Sequence, residues 1–279
     1  MPELPEVETV ANQLNPLLKN QWIESLVVHD KARIKLRPSA VKDQQIKDVF
    51  RVGKEIVFSL SQGKFVAFHL RMTGRLLWNS GAALPETLVN ESSASLDPRH
   101  LRLEMALRKK SKRSDLKFFD VRKFGTVKIV SDLAELGSGG VEPLSSEFTA
   151  DKLKSLIGNS SQSLRNFLMR QDKIVGLGNI YVCEILFCSG IHPERTLDSL
   201  SDEEIKLLRN QSRKILKKAI KNCGTTFSDF QQTTGETGSY QKYLKVYARE
   251  GEACSSCRTE IVREKVGGRS SFFCPGCQQ

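Results

Sequence analysis

Residues 254–277 read "CSSCRTEIVREKVGGRSSFFCPGC", two CxxC pairs spaced C-x2-C-x16-C-x2-C. That spacing places a thiol pair at each end of a short hairpin, the donor set of a tetrahedral zinc site. Four protein ligands close such a site to water, so the expected metal is one structural Zn2+ held by Cys254, Cys257, Cys274 and Cys277. The paired glycines before Arg269 supply the turn. Two disulfides are the competing reading of the same four positions. Cys183, Cys188 and Cys223 stand alone and read as small apolar packing residues.

The rest of the chain sets the context for that module. Its 279 residues carry 43 Lys and Arg against 32 Asp and Glu, a formal net charge of +11. With 39% hydrophobic and 27% charged residues the composition is globular rather than that of a disordered polycation. An excess of positive charge on this scale favours a polyanionic partner, nucleic acid ahead of an acidic membrane surface. No apolar run approaches ~18 residues, so no membrane span is expected. The first eight residues hold two prolines and Glu3, Glu6 and Glu8, which is no signal peptide. The expected compartment is the cytoplasm, where thiols stay reduced and the zinc reading is favoured.

Hydrophobic periodicity divides the chain. Val7, Val10, Leu14, Leu17 and Leu18 recur at helical spacing over 6–19. From about 22 to 130 the pattern is of short strands, among them "EIVFSL", "KFVAFHL", "LRLEMAL", "LKFFDV" and "GTVKIV". Residues 79–98 read as a long polar loop, and "RKKSKRS" as a solvated hairpin tip. From about 148 the pattern turns helical. "SLRNFLMRQ" and "IYVCEILFCSG" flank the glycine-rich "KIVGLGN", and an amphipathic helix follows with Ile205, Leu208, Ile215, Leu216, Ala219 and Ile220 on one face. Ser201 and Glu204 form a capping-box pair at its start. "GLGN" follows no predicted strand, so it is no dinucleotide fingerprint; it reads either as a tight turn or as a helix start whose N–H groups hold a phosphate.

"PELPEVET" after Met1, "HLRMTGRL", "DVRKFG", "VGLGNIYVCEILF" with "GIHPER", and the four-cysteine tail occur together and in the order of the bacterial formamidopyrimidine-DNA glycosylases, which the whole chain resembles. The resemblance implies an α+β fold. Residues 1–130 would be an N-terminal helix plus two-layer β-sandwich carrying catalysis, and 131–147 a linker. Residues 148–244 would form a helix–two-turn–helix domain and 245–279 a zinc-finger hairpin. It implies a bifunctional DNA glycosylase and AP lyase of base excision repair, acting on 8-oxoguanine, formamidopyrimidines and abasic sites in double-stranded DNA.

Site residues follow from the resemblance. With Met1 removed, Pro2 would be a secondary amine, and α-amino groups titrate near ~7.7–8, so a useful fraction is nucleophilic at neutral pH. Pro2 would form the Schiff base, with Glu3 as proton donor and acceptor and Glu6 in support. Lys54 in "VGKEIVF" would donate a proton in β-elimination and contact phosphate; Arg269 would do the same in δ-elimination. His69, Arg71, His100, Asn179, Tyr247 and Arg249 would contact DNA. Met72 would fill the gap left by an everted base, Arg122 read the orphaned cytosine and Phe124 wedge beside it. Thr225, Thr226 and Tyr240 would belong to the loop over the lesion, and Glu184 would support its domain. The chain departs from the family pattern at Arg71 (usually glycine), Val121 (usually proline) and Ser228 (frequently lysine).

Two other readings share part of this pattern. A Nei-type glycosylase for oxidised pyrimidines would use the same proline, but such chains typically begin P-E-G-P rather than P-E-L-P. A non-catalytic zinc-bearing module for distorted DNA would need neither a free Pro2 amine nor Lys54. Zinc is the expected cofactor and lesion-bearing DNA the expected partner. The chain is expected to be monomeric, away from membranes and associated with the bacterial nucleoid through DNA.

Overall fold

A computed structural model describes residues 1–80, 96–225, 238–266 and 268–279 of the chain, Val266 by its backbone alone. The chain separates into two compact units. The first comprises Met1–Pro2, Glu6–Leu136 and Cys223–Ser239; the second comprises Glu3–Pro5, Gly137–Asn222 and Tyr240–Gln279.

The first unit is a sandwich of two sheets. One is antiparallel in the order β1-β7-β8-β6: β1 (Trp22–Val28), β7 (Leu101–Lys109), β8 (Lys112–Asp120) and β6 (Gly74–Asn79). The other runs β2-β9-β5-β4-β3: β2 (Ile34–Lys35), β9 (Thr126–Val130), β5 (Phe65–His69), β4 (Glu55–Leu60) and β3 (Ile46–Val52). Its only parallel pair among the described residues is β2 with β9. Alternation puts Leu103, Met105 and Leu107 of one sheet and Ile56, Phe58, Val66 and Phe68 of the other into one core. Helix α1 (Leu4–Leu18) adds Val7, Val10, Ala11, Leu14 and Leu18 to it. The helix starts two residues before the periodicity alone suggests. Pro5 is tolerated there because a first-turn N–H has no intrahelical partner to lose. "RKKSKRS" makes the β7–β8 turn with Lys109 opposite Lys112, and most of the expected 79–98 loop lies outside the described residues.

The second unit is helical, with α2 (Ala150–Ile157), α3 (Leu164–Leu168), α4 (Asn179–Cys188) and α5 (Asp202–Lys221). Leu4, Phe148, Phe167, Tyr181, Ile185, Leu208 and Leu216 share its core. The Ser201 hydroxyl accepts from Glu204 N at 3.2 Å and Glu204 Oε2 accepts from Ser201 N at 2.8 Å, closing the capping box of α5. At the C-terminus β10 (Val262–Val266) and β11 (Arg269–Phe273) form the hairpin between the cysteine pairs. Phe187 and Cys183 of α4, Val246, Ile261 and Phe272 pack with Cys254 and Cys274 into a small third cluster. All seven cysteines are free thiols; Cys183 is buried, which pushes its thiol up to about 11. Among the described residues no helix is long and apolar enough to cross a membrane.

Candidate active site

The three glutamates of the N-terminal stretch each have a separate task. Glu3 is buried and its carboxylate sits on the start of α4, where Oε1 accepts from Ile180 N at 2.9 Å and Oε2 from Tyr181 N at 3.3 Å. Helix N-terminal N–H groups lack intrahelical partners and carry a partial positive charge, so an anion is stabilised there. The helix start that follows "GLGN" therefore holds a carboxylate of the same chain, on the N–H groups of Ile180 and Tyr181. A Cβ on Gly178 would collide with the Glu3 carboxyl group. Leu4 N donates to Gly176 O at 2.9 Å, which fixes the residue after Glu3 as well. Glu6, also buried, accepts from Thr225 N at 2.8 Å and from the Thr225 hydroxyl at 3.0 Å. Glu8 accepts from Arg51 Nε at 2.7 Å, and Arg51 Nη1 donates to Gly53 O at 2.9 Å, tying α1 to the turn that carries Lys54. Pro2 is buried at the head of this array.

Lys54 lies in the β3–β4 turn and is buried. Its charge is one of those acting on His69, at the end of β5. Burial, then Arg71, Lys54 and Lys128, push the His69 imidazole down to about 3. Nδ1 of His69 accepts from Arg71 N at 3.2 Å, so the ring of the neutral histidine carries its proton on Nε2 as a donor. Arg71 itself has φ +52°, the left-handed region that glycine favours, at the position where the resemblance implies glycine.

Met72, Arg122 and Phe124 come together. Arg122 Nη1 stands 3.0 Å from Met72 Sδ, and its guanidinium lies 4.8 Å from the Phe124 ring centroid. Met72 is 38% and Phe124 43% exposed, large apolar groups left in solvent beside a cation. His100 closes a short 3-10 turn, Pro98–His100, capped by Asp97.

In the second unit Asn179, the first residue of α4, donates from Nδ2 to Ser270 O at 2.8 Å, next to Arg269 on the zinc hairpin. Tyr247 packs edge-on against Phe272, ring centroids 5.1 Å apart, and burial followed by the Glu3 charge raises its phenol above the usual range. Glu184 is buried and accepts from the backbone N–H groups of Lys245 (2.9 Å), Val246 (2.9 Å) and Tyr247 (3.0 Å), so it holds the segment that carries Tyr247. Arg249 is engaged by Glu252 Oε2 at 2.8 Å and by the carbonyls of Leu244 and Lys245. Tyr240 lies in the helical core, with its ring 5.9 Å from that of Tyr181. Thr226 and Ser228 lie outside the described residues.

One residue escaped the sequence reading. Arg165 on α3 is 1% exposed, and Nη2 donates to Asn179 Oδ1 at 2.6 Å and lies 3.4 Å from Ser270 O. In "SLRNFLMRQ" it sits where a solvated helix face is the ordinary expectation. Only the tertiary contact exposes its task of holding Asn179.

The four candidate metal ligands converge, all Sγ atoms lying within 4.8 Å of one another. Cys254 and Cys277 Sγ are 3.8 Å apart and Cys257 and Cys274 Sγ 3.4 Å. Four sulfurs about 2.3 Å from a tetrahedral zinc stand about 3.8 Å from one another, so the residues fit the ion. The seven free cysteines rule out the disulfide reading for this structure.

A β-sandwich with a helix–two-turn–helix unit and a four-cysteine hairpin defines a DNA-repair glycosylase fold. Residues 1–127 match the formamidopyrimidine-DNA glycosylase N-terminal domain, 140–231 the formamidopyrimidine-DNA glycosylase H2TH domain, and 251–279 the zinc finger found in FPG and IleRS. A formamidopyrimidine-DNA glycosylase of Pelotomaculum thermopropionicum is 38% identical, over 100% of this chain and 99% of that protein. The crystal structure of the MutM (FPG) protein of Thermus thermophilus superposes with a TM-score of 0.84 at 33% identity, covering 99% of this chain and 98% of the other. A Lactococcus lactis FPG (MutM) structure in complex with Fapy-dG-containing DNA has a TM-score of 0.84 at 32% identity, covering 99% and 100%. The chain belongs to the formamidopyrimidine-DNA glycosylase family.

Proposed function

We propose that the chain is a bifunctional glycosylase and AP lyase that removes oxidised purines from double-stranded DNA through a Schiff base on Pro2. The observation that carries this reading is the buried Glu3 carboxylate, fixed on the start of α4 beside the only secondary amine the chain can offer.

Once Met1 is removed, the Pro2 nitrogen lone pair attacks C1′ of the damaged nucleoside. The C1′–N bond breaks and the base leaves with its electron pair, taking a proton that the Glu3 carboxyl relays. The C1′–O4′ bond then opens, O4′ taking the proton that Glu3 has recovered from the Pro2 nitrogen, and the product is an iminium ion joining Pro2 to C1′, an electron sink that acidifies C2′–H. Removal of that proton expels the 3′-phosphate, and a second elimination expels the 5′-phosphate. Lys54 and Arg269 bind the departing phosphates and deliver protons to them. Neutral His69 donates through Nε2, Arg71, Asn179 and Tyr247 contact the backbone, and Met72, Arg122 and Phe124 replace and read around the everted base. His100 contributes a peripheral contact, and Arg249 reaches a phosphate only by releasing Glu252. Thr225 and Thr226 open the segment that covers the lesion. Zinc, when bound, supplies no reactive group; it fixes the hairpin that carries Arg269. We assign 1–130 to catalysis, 131–147 to a linker, 148–244 to the helix–two-turn–helix domain and 245–279 to the zinc finger.

Borohydride trapping tests this reading, with a duplex bearing 8-oxoguanine opposite cytosine, a thymine-glycol duplex in parallel, and mass spectrometry of the N-terminal peptide. An adduct on Pro2 formed preferentially with 8-oxoguanine is expected, and Pro2→Gly should abolish it. Trapping mainly on thymine glycol would reassign the substrate to oxidised pyrimidines. Binding without any adduct, from protein lacking Met1, would refute catalysis.

A further inference from the structure

We propose that Asp120 is a positioning residue that locks the Met72 tip and the Arg122–Phe124 tip into one preassembled wedge; this rests on the proposed function. Asp120 ends β8 and is 1% exposed. It is spent on the two loops. Oδ1 accepts from the Thr73 hydroxyl, next to Met72, and lies 3.3 Å from Arg122 N. Oδ2 accepts from Gly125 N at 2.6 Å, at the far end of the second loop. The Thr73 oxygen in turn accepts from Arg122 N at 3.1 Å, so one hydroxyl donates to Asp120 and receives from the neighbouring tip.

The surroundings are built for this junction. Arg102 Nε donates to the Asp120 carbonyl at 2.9 Å and anchors its backbone. A Cβ on Gly125 would stand 2.6 Å from the Phe118 ring and 3.0 Å from Asp120 Oδ2, so only glycine lets that N–H reach the carboxylate. Both tips contain a non-glycine residue in the left-handed region, Arg71 at φ +52° and Lys123 at φ +56°. Such backbones persist only when surrounding bonds over-determine them. At the exposed end of the junction lie the Arg122–Met72 and Arg122–Phe124 contacts already described. Entry of Met72 and Phe124 into a base stack has to be simultaneous, and a preformed pair avoids ordering two loops at that moment.

The test uses Asp120→Asn, Thr73→Val and their combination. Asparagine keeps the volume but turns an amide group toward donors. Losing a charge-assisted bond to buried donors is expected to lower excision of 8-oxoguanine from duplex about 10- to 100-fold. The rise in fluorescence of a 2-aminopurine beside the lesion should be lost with it. Trapping on single-stranded abasic DNA, which needs no wedge, should stay within about 2-fold of wild type if only the wedge is affected. Thr73→Val should cost less, and the double variant should fall short of the product of the two. In the free protein the Met72 methyl resonance should shift toward its random-coil position in Asp120→Asn. Wild-type excision by Asp120→Asn, or an equal fall on duplex and single strand, would overturn the proposal. If the wild-type protein neither traps nor excises, the proposed function fails by itself, and an unchanged Met72 methyl in Asp120→Asn would then still refute the clamp.

Discussion

Replacing Gly178 by alanine isolates the contact on which the site depends. The backbone there has φ −141° and ψ −165°, open to any L-residue, so the substitution meets no conformational penalty. Its whole cost comes from the Cβ running into the Glu3 carboxyl group. The carboxylate must leave the Ile180 and Tyr181 N–H groups. Overpacking a tight contact costs about 1–3 kcal/mol, and unmaking bonds to a charged group about 1.5–3 kcal/mol. A total of about 2.5–6 kcal/mol in chemical denaturation is expected, with excision lowered at least about 100-fold because the Glu3 carboxylate is displaced. The stability loss should largely vanish when Gly178→Ala is placed in a Glu3→Ala background, since the truncated side chain offers nothing to strike. A Gly178→Ala enzyme that excises at the wild-type rate, or a stability loss that persists in that background, would refute the placement of Glu3.

Removing zinc with a chelator, or replacing Cys274 by alanine, should unfold the C-terminal hairpin while the sandwich persists. Apparent binding energies of structural zinc are about 10–16 kcal/mol at neutral pH, and a metal content of about one ion per native chain with loss of DNA affinity on chelation would be the readouts. His69 titrates near 3 folded against 6.5 unfolded, so the unfolded chain binds more protons between those values and stability rises with pH across that window. His69→Gln should flatten the acid limb by less than about 1.4 kcal/mol per pH unit; an unchanged acid limb would contradict the neutral imidazole. Arg71→Gly should raise stability by about 0.5–1 kcal/mol by relieving a left-handed arginine, while weakening DNA binding and lowering the salt slope by about one.

Local chemistry was legible in the sequence where it is short-ranged. The cysteine spacing, the Ser201–Glu204 cap and the alternation of "LRLEMAL" each depend on neighbours a few residues away, and each stands as read. Residues whose task is set by distant partners were harder. Glu8 declares nothing until Arg51 lies against it, and Arg165 looks like surface charge until Asn179 and Ser270 enclose it. The resemblance places Tyr240 with the loop over the lesion, and only the fold shows its ring packed against Tyr181. "GLGN" reads equally as a turn or a phosphate site because the anion held at the helix start just after it comes from Glu3, 177 positions before Ile180. The site residues tied to motifs are assigned through resemblance, whereas the hydrogen bonds around them, those of Asp120 included, are visible only in the fold.

The sulfur cluster has a consequence for survival under stress. A formamidopyrimidine-DNA glycosylase is needed most when oxidants are abundant, yet its hairpin is held by four thiols, and Cys257 among them is exposed. A peroxide that took this sulfur to the sulfenic level would remove a ligand from the ion, and a thiol reductant would restore it. Closure of the hairpin around the ion would then follow the thiol-reducing power of its surroundings.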